Sequence, residues 1–181
     1  MGGRRKRKAP EQSPDTWTNT PRSALELLAS LLGGSTYRVP IEKKDSKPSL
    51  TISDIAGAAG YMPDKVNRDV AMAVALRSDH RTLRMVAEFA ERKVVESIER
   101  QRPSPLDLTR DMDRFRLRLV TYHALAELVH PEQRRPFHAL AREAKMRKAR
   151  YITVHRCVTA VLQDALNTGS TEFASALWGS R

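Results

Sequence analysis

Apolar residues along much of this chain recur three or four positions apart, the spacing of one face of an α-helix, and that periodicity restricts the fold to helices packed on helices. Over residues 81–100 the stripe is Leu83, Val86, Ala90, Val94 and Ile98, with mixed charges on the other side. Pro103 and Pro105 end that helix, because proline has no N–H for the helical ladder. A further helix is expected over about 108–129, where Met112, Phe115, Leu119, Tyr122, Ala126 and Val129 alternate three and four steps like a helix-packing seam. The seam is read as core, with an oligomer interface as the alternative. The expected fold class is all-α: a multi-helix bundle.

Residues 136–166, PFHALAREAKMRKARYITVHRCVTAVLQDAL, read as two helices joined by a tight basic turn. A DNA-reading helix-turn-helix lays its first helix across the phosphate backbone and its second in the major groove. It therefore needs a small residue where the helices touch and apolar residues at fixed steps around it. Ala141 takes the contact position, and Leu140, Ala144, Met146, Tyr151 and Val154 fall where side chains must point inward. Lys145 stands where many such turns carry glycine, so it is expected near the left-handed region or in a different turn. Outside are Arg142, Lys145, Arg147, Lys148, Arg150, Thr153 and Arg156, a set able to pair with phosphates and donate to guanine edges. Arg150, Thr153 and Arg156 lie three apart and form a groove-facing row. Residues 134–156 hold eight Lys and Arg against the single acid Glu143. An antiparallel helix pair with a solvated basic face is the plainer alternative.

The charge of the whole chain points the same way. Its 181 residues suffice for one domain or two small ones, and its net charge of +11 favours a polyanionic partner over a small substrate. The single Cys157 excludes an internal disulfide framework and a cysteine-cluster zinc site. With no long apolar run and no signal peptide, no membrane association is expected, and the expected location is the cytoplasm of a bacterial host, at the nucleoid.

Residues 1–20 are expected to be a disordered basic tail, in which Arg4, Arg5, Lys6, Arg7 and Lys8 are candidates for phosphate contact. Residues 21–105 form an N-terminal helical region, with a short helix over 23–32, and residues 106–181 a C-terminal DNA-binding region. Within the first region, residues 49–76 have a helix-turn-helix look of their own. Ser53 caps a helix through Ala59, Gly60 makes the turn, Pro63 opens the next helix, and Val66 and Val70 face the core. DIAGAAG followed by VNRDV resembles the headpiece of LacI-type repressors. Its reading face would hold Asp64, Lys65, Asn67 and Arg68, which is only mildly basic. A structural helix pair or protein contact is the alternative. At the far end Gly169 is expected to stop the long helix, with Phe173 and Trp178 docking on the core in a last short turn.

Catalytic groupings are thin. His123 with His130, and His138 with His155, lack a third ligand at metal spacing, and Asp111 and Asp113 cannot face one site together on a helix, though Glu127 could join one of them. All read as helix-surface residues. Neither a phosphate-cradling glycine loop nor a nucleophile motif is present. No catalytic residue, metal or cofactor is therefore expected.

Two stretches resemble the late-gene antitermination proteins of lambda-like phages, the Q proteins. SLTISDIAGAAGYM, residues 49–62, is similar to their SLxxTDVMAAxGM, and HRCVTAVL, residues 155–162, to their YRAVTMLI. The paired CxxC zinc ligands of that family have no counterpart here. The second helix of the basic motif also resembles, in architecture, the promoter-reading end of sigma factors. These likenesses imply a sequence-specific transcription regulator of phage type that acts with RNA polymerase as an antiterminator. The expected partners are double-stranded DNA, RNA polymerase and a second copy of the chain. The runner-up is a DNA-binding packaging protein such as a small terminase subunit, which would assemble as a ring.

Overall fold

The computed structural model describes residues 52–179, and every regular element within them is helical. In chain order these are α1 (Ile52–Gly60), α2 (Lys65–Ala75), α3 (His80–Glu99), α4 (Asp111–Val129), a 3-10 turn (Pro131–Gln133), α5 (Phe137–Glu143) and α6 (Lys148–Trp178). None is long and apolar enough to cross a membrane. The expected tail and the expected helix over 23–32 lie outside the described residues.

Local chemistry sets the boundaries. Asp64 begins α2 by accepting from the N–H groups of Val66 and Asn67 at 2.8 and 3.0 Å, so Pro63 lies before the cap and not, as expected, at the first helical position. Asp79 caps α3 in the same way through Thr82 N–H at 2.8 Å. Helix α4 starts at Asp111, later than expected, because the Asp107 carboxylate holds the N–H and hydroxyl of Thr109 at 3.2 and 2.6 Å in a local turn. Two helices end on a residue in the left-handed conformation, Arg77 after α2 (φ 48°) and Lys145 after α5 (φ 52°). Both ends have the same pair of bonds: Ser78 N–H to Ala73 O and Arg77 N–H to Val74 O, then Met146 N–H to Ala141 O and Lys145 N–H to Arg142 O.

The 31-residue helix α6, roughly 46 Å long at 1.5 Å per residue, is the spine against which every other helix packs. Its first half enters the main core with Val70 of α2, Leu83, Ala90 and Val94 of α3, and Leu117 and Leu125 of α4. That core draws on both sides of residue 105, so the expected division there does not divide the packing. The second half of α6 holds a smaller cluster, in which Phe173 and Leu177 meet Ile55, Ala58, Ala59 and Met62. Gly169 does not stop the helix. It is buried where α6 crosses α2, and a Cβ there would lie 2.4 Å from the Asn67 carbonyl oxygen. Phe173 docks as expected, whereas Trp178 remains 38% exposed.

Helix α3 buries the stripe read from its sequence. Helix α4 buries its expected seam only in part: Val129 is buried and Leu119, Tyr122 and Ala126 pack half-buried against the core, but Met112 and Phe115 are 50% and 54% exposed, and the buried side runs through Asp113, Leu117, Val120, Thr121, His123, Ala124, Leu125 and Val129. Three of those eight are polar, so a stripe drawn through apolar residues alone catches only part of the buried face.

Candidate nucleic-acid interface

Helices α5 and α6 meet through small and apolar groups. Leu140, Ala141, Ala144, Tyr151 and Val154 are buried and Met146 packs half-buried against the core, so all six side chains point inward as their spacing requires. Lys145 adopts the left-handed turn, and its carbonyl accepts from Arg116 Nη2 at 3.0 Å.

That packing leaves a set of cations outside. Arg142, Lys145, Arg147, Lys148 and Arg156 are exposed, and none forms an ion pair with a described residue. Thr153 is exposed between them and donates its hydroxyl back to Ala149 O at 3.2 Å. Further along the outer face of α6 come Ala160, Gln163, Asp164, Asn167 and Thr168, so the positive charge is confined to the N-terminal turns.

Arg150 leaves the expected row. It is half-buried, donating from Nε to Pro105 O at 2.6 Å and from Nη2 to Asp113 Oδ2 at 2.9 Å. Asp113 is itself buried, a correction to its reading as a surface residue, and it also receives Arg116 at 2.6 Å and the Asp107 N–H at 3.1 Å. Burial alone would raise its pKa, but these donors outweigh burial and hold the carboxyl below its ordinary value. Arg150 therefore fastens α6 to the start of α4, and the outward row is reduced to Thr153 and Arg156.

Beneath the cationic surface lies a buried aromatic and imidazole stack. His123 Nδ1 meets the Tyr151 hydroxyl at 3.1 Å, Tyr151 stacks on His155 with centroids 5.7 Å apart, and Phe137 stands edge-on to His155 at 5.1 Å. The far nitrogens face carboxylates, His155 Nε2 with Glu127 at 3.4 Å and His123 Nε2 with Glu143 at 3.5 Å. Burial pulls both imidazoles below their usual pKa despite those acids, and pushes the Tyr151 phenol up. Neither histidine is the surface residue expected. The i, i+4 spacing of Tyr151 and His155 on α6 is the signal in the sequence that points to this stack.

The other expected reading face is differently used. Asn67 is buried, with Lys93 Nζ donating to its Oδ1 at 2.7 Å and its own Nδ2 donating to Glu172 Oε1 at 3.4 Å, so it is not available as a contact residue. Asp64 caps α2 and pairs with Lys93 at 2.7 Å. The Lys65 ammonium stands 4.0 Å over the Phe89 ring, and Arg68 pairs with Asp69 at 3.4 Å. Arg4, Arg5, Lys6, Arg7 and Lys8 lie outside the described residues. Among the described residues no group of three His, Cys, Asp or Glu is placed to hold a metal ion. No family model, curated protein or solved structure matches the chain.

Proposed function

We propose that this protein binds double-stranded DNA as a transcription regulator, with α5 across the phosphate backbone and the first turns of α6 in the major groove. The observation that carries the reading is the cluster of Arg142, Lys145, Arg147, Lys148 and Arg156, exposed and unpaired among the described residues while nearby Arg116, Arg134, Arg135 and Arg150 are each neutralised by an acid. Unpaired cations on a helix pair with helix-turn-helix spacing are the electrostatic footprint of a duplex reader. Four phosphate contacts, from Arg142, Lys145, Arg147 and Lys148, correspond to a salt slope of about −3 to −4 in log affinity against log salt. Thr153 and Arg156 face outward from the second helix and are the candidates for base edges. The role in transcription, and contact with RNA polymerase, rest on the likeness of residues 49–62 and 155–162 to the Q proteins.

The test is a salt titration of binding to a set of duplexes by the wild type and by the combined variant Arg142→Ala, Lys145→Ala, Arg147→Ala, Lys148→Ala. Binding to every duplex weakens, and the salt slope flattens by about one unit per lost contact. Equal binding and an equal slope in the variant place the interface elsewhere on the molecule. Arg156→Lys keeps the charge but loses bidentate geometry, so it lowers preference for the best site and leaves binding to scrambled duplex at low salt unchanged.

A further inference from the structure

Two carboxylates beside the proposed interface are each held between a buried imidazole and a surface arginine. Glu127 Oε1 takes Arg134 Nε at 2.9 Å while its Oε2 faces His155 Nε2 at 3.4 Å; Glu143 Oε2 takes Arg135 Nη1 at 2.9 Å while its Oε1 faces His123 Nε2 at 3.5 Å. The two sets are parallel. His123 Nε2, His155 Nε2 and Glu127 Oε2 are buried without a hydrogen-bond partner, and a cavity of about 100 Å³ lined by His80, Tyr122, His123, Glu127, Arg134 and Arg135 borders the first and the last of these residues. The arginine side chains are 60% and 55% exposed. Arg135 reaches Glu143 at the C-terminal end of α5, where the sequence neighbours of Glu143 include the unpaired Arg142 and Lys145.

We infer that Arg134 and Arg135 form a second phosphate clamp, released from Glu127 and Glu143 when duplex DNA binds, and that His155 and His123 take up protons to replace the departed charge. The inference rests on the DNA reading above. In the free protein two guanidinium groups balance two carboxylates, and both imidazoles are neutral in their apolar stack. A phosphate is a better partner for an exposed arginine than a carboxylate that the arginine already shares with solvent, because binding also releases counterions from the duplex. Once the arginines swing to the backbone, the imidazole is the ion-pair partner left to each carboxylate. An uncompensated carboxylate within 4 Å favours imidazolium.

Other titratable groups face the stack and set the background. His123 is approached by Tyr122, Tyr151, Glu143, Arg135 and His155; His155 by Tyr151, Glu127 and Arg134; His80 and His130 lie beyond Tyr122. His138 is an exposed imidazole on α5, outside the stack, and serves as the control.

The test measures duplex affinity of the full chain from pH 5.5 to 8, together with calorimetry in buffers of different ionisation enthalpy, which counts protons. Binding tightens as pH falls, by up to tenfold per unit for each proton taken up. The proton uptake persists in His138→Gln and disappears in Arg134→Gln/Arg135→Gln, whose carboxylates are already free before DNA arrives; the same double variant flattens the salt slope by about two units. Both arginine side chains are more than half exposed, and a thermal melt checks that the double variant folds. Affinity independent of pH, or proton uptake and salt slope unaltered in the double variant, overturns this inference and leaves the DNA reading standing. Uptake lost in His138→Gln overturns it equally. Absence of any duplex binding by the wild type overturns both.

Discussion

Helices α1 and α2, and helices α5 and α6, display the same kind of sequence: two short apolar-spaced helical stretches, alanine at the contacts, a tight connection and polar residues at the start of the second helix. Their polar groups do opposite things. In the first pair Asp64 caps a helix and binds Lys93, Asn67 is buried between Lys93 and Glu172, and Lys65 covers Phe89. In the second pair no side chain caps α6, and Arg142, Lys145, Arg147, Lys148 and Arg156 have no acidic partner among the described residues. Spacing alone cannot tell a structural helix pair from a reading one. What separates them is whether the charges are used inside the protein.

Breaking the tie behind the second pair has the largest effect on folding. Asp113→Asn leaves Arg116 and Arg150 facing a neutral group in a buried setting, and costs about 2–3 kcal/mol by chemical denaturation. A cost near zero shows that the arginines find other acceptors and that Arg150 is free to face DNA. In the first pair the corresponding weak point is Gly169, since a methyl group there meets the Asn67 backbone. Gly169→Ala costs about 1–3 kcal/mol through separation of α2 from α6, with the salt slope of DNA binding unchanged.

A smaller effect comes with pH. The unfolded chain binds protons on His123 and His155 near the usual imidazole value of about 6.5, whereas the folded chain resists them. Stability is therefore complete above about pH 6.5 and declines as pH falls through that value. Thermal melts of the wild type follow this course, and His155→Gln shows a shallower one. The smallest effect is at the turn: Lys145→Gly relieves a left-handed lysine and stabilises the fold by up to about 1 kcal/mol, yet takes about one unit from the salt slope. A stability gain with no change in DNA binding removes Lys145 from the interface.

The sequence carried the inward positions of α5 and α6, the turn at Lys145 and the stripe of α3, because each is a matter of local spacing and one kind of residue. It misled wherever a polar residue is satisfied by a distant partner. The buried side of α4 includes Asp113 and His123, which pair across to Arg150 and Tyr151, and Thr121, which donates to Leu117 O one turn back, while Met112 and Phe115 stay exposed. Asn67 and Arg150 read as outward because nothing near them in sequence accepts their hydrogen bonds; Glu172 and Asp113 are 105 and 37 positions away. Gly169 read as a stop for the same reason, since the backbone that requires a glycine there belongs to α2.

Lysine reactivity tests the contrast between the two pairs most directly. The protein, alone and saturated with duplex DNA, is treated briefly with an acetylating reagent at low salt, and each lysine is quantified by mass spectrometry. Lys145 and Lys148 are protected several-fold by DNA, while Lys65 and Lys93, occupied by Phe89 and by Asp64 and Asn67, react at the same rate with and without it. Protection of Lys65 with Lys145 and Lys148 unchanged would contradict the account and assign DNA contact to the other pair of helices.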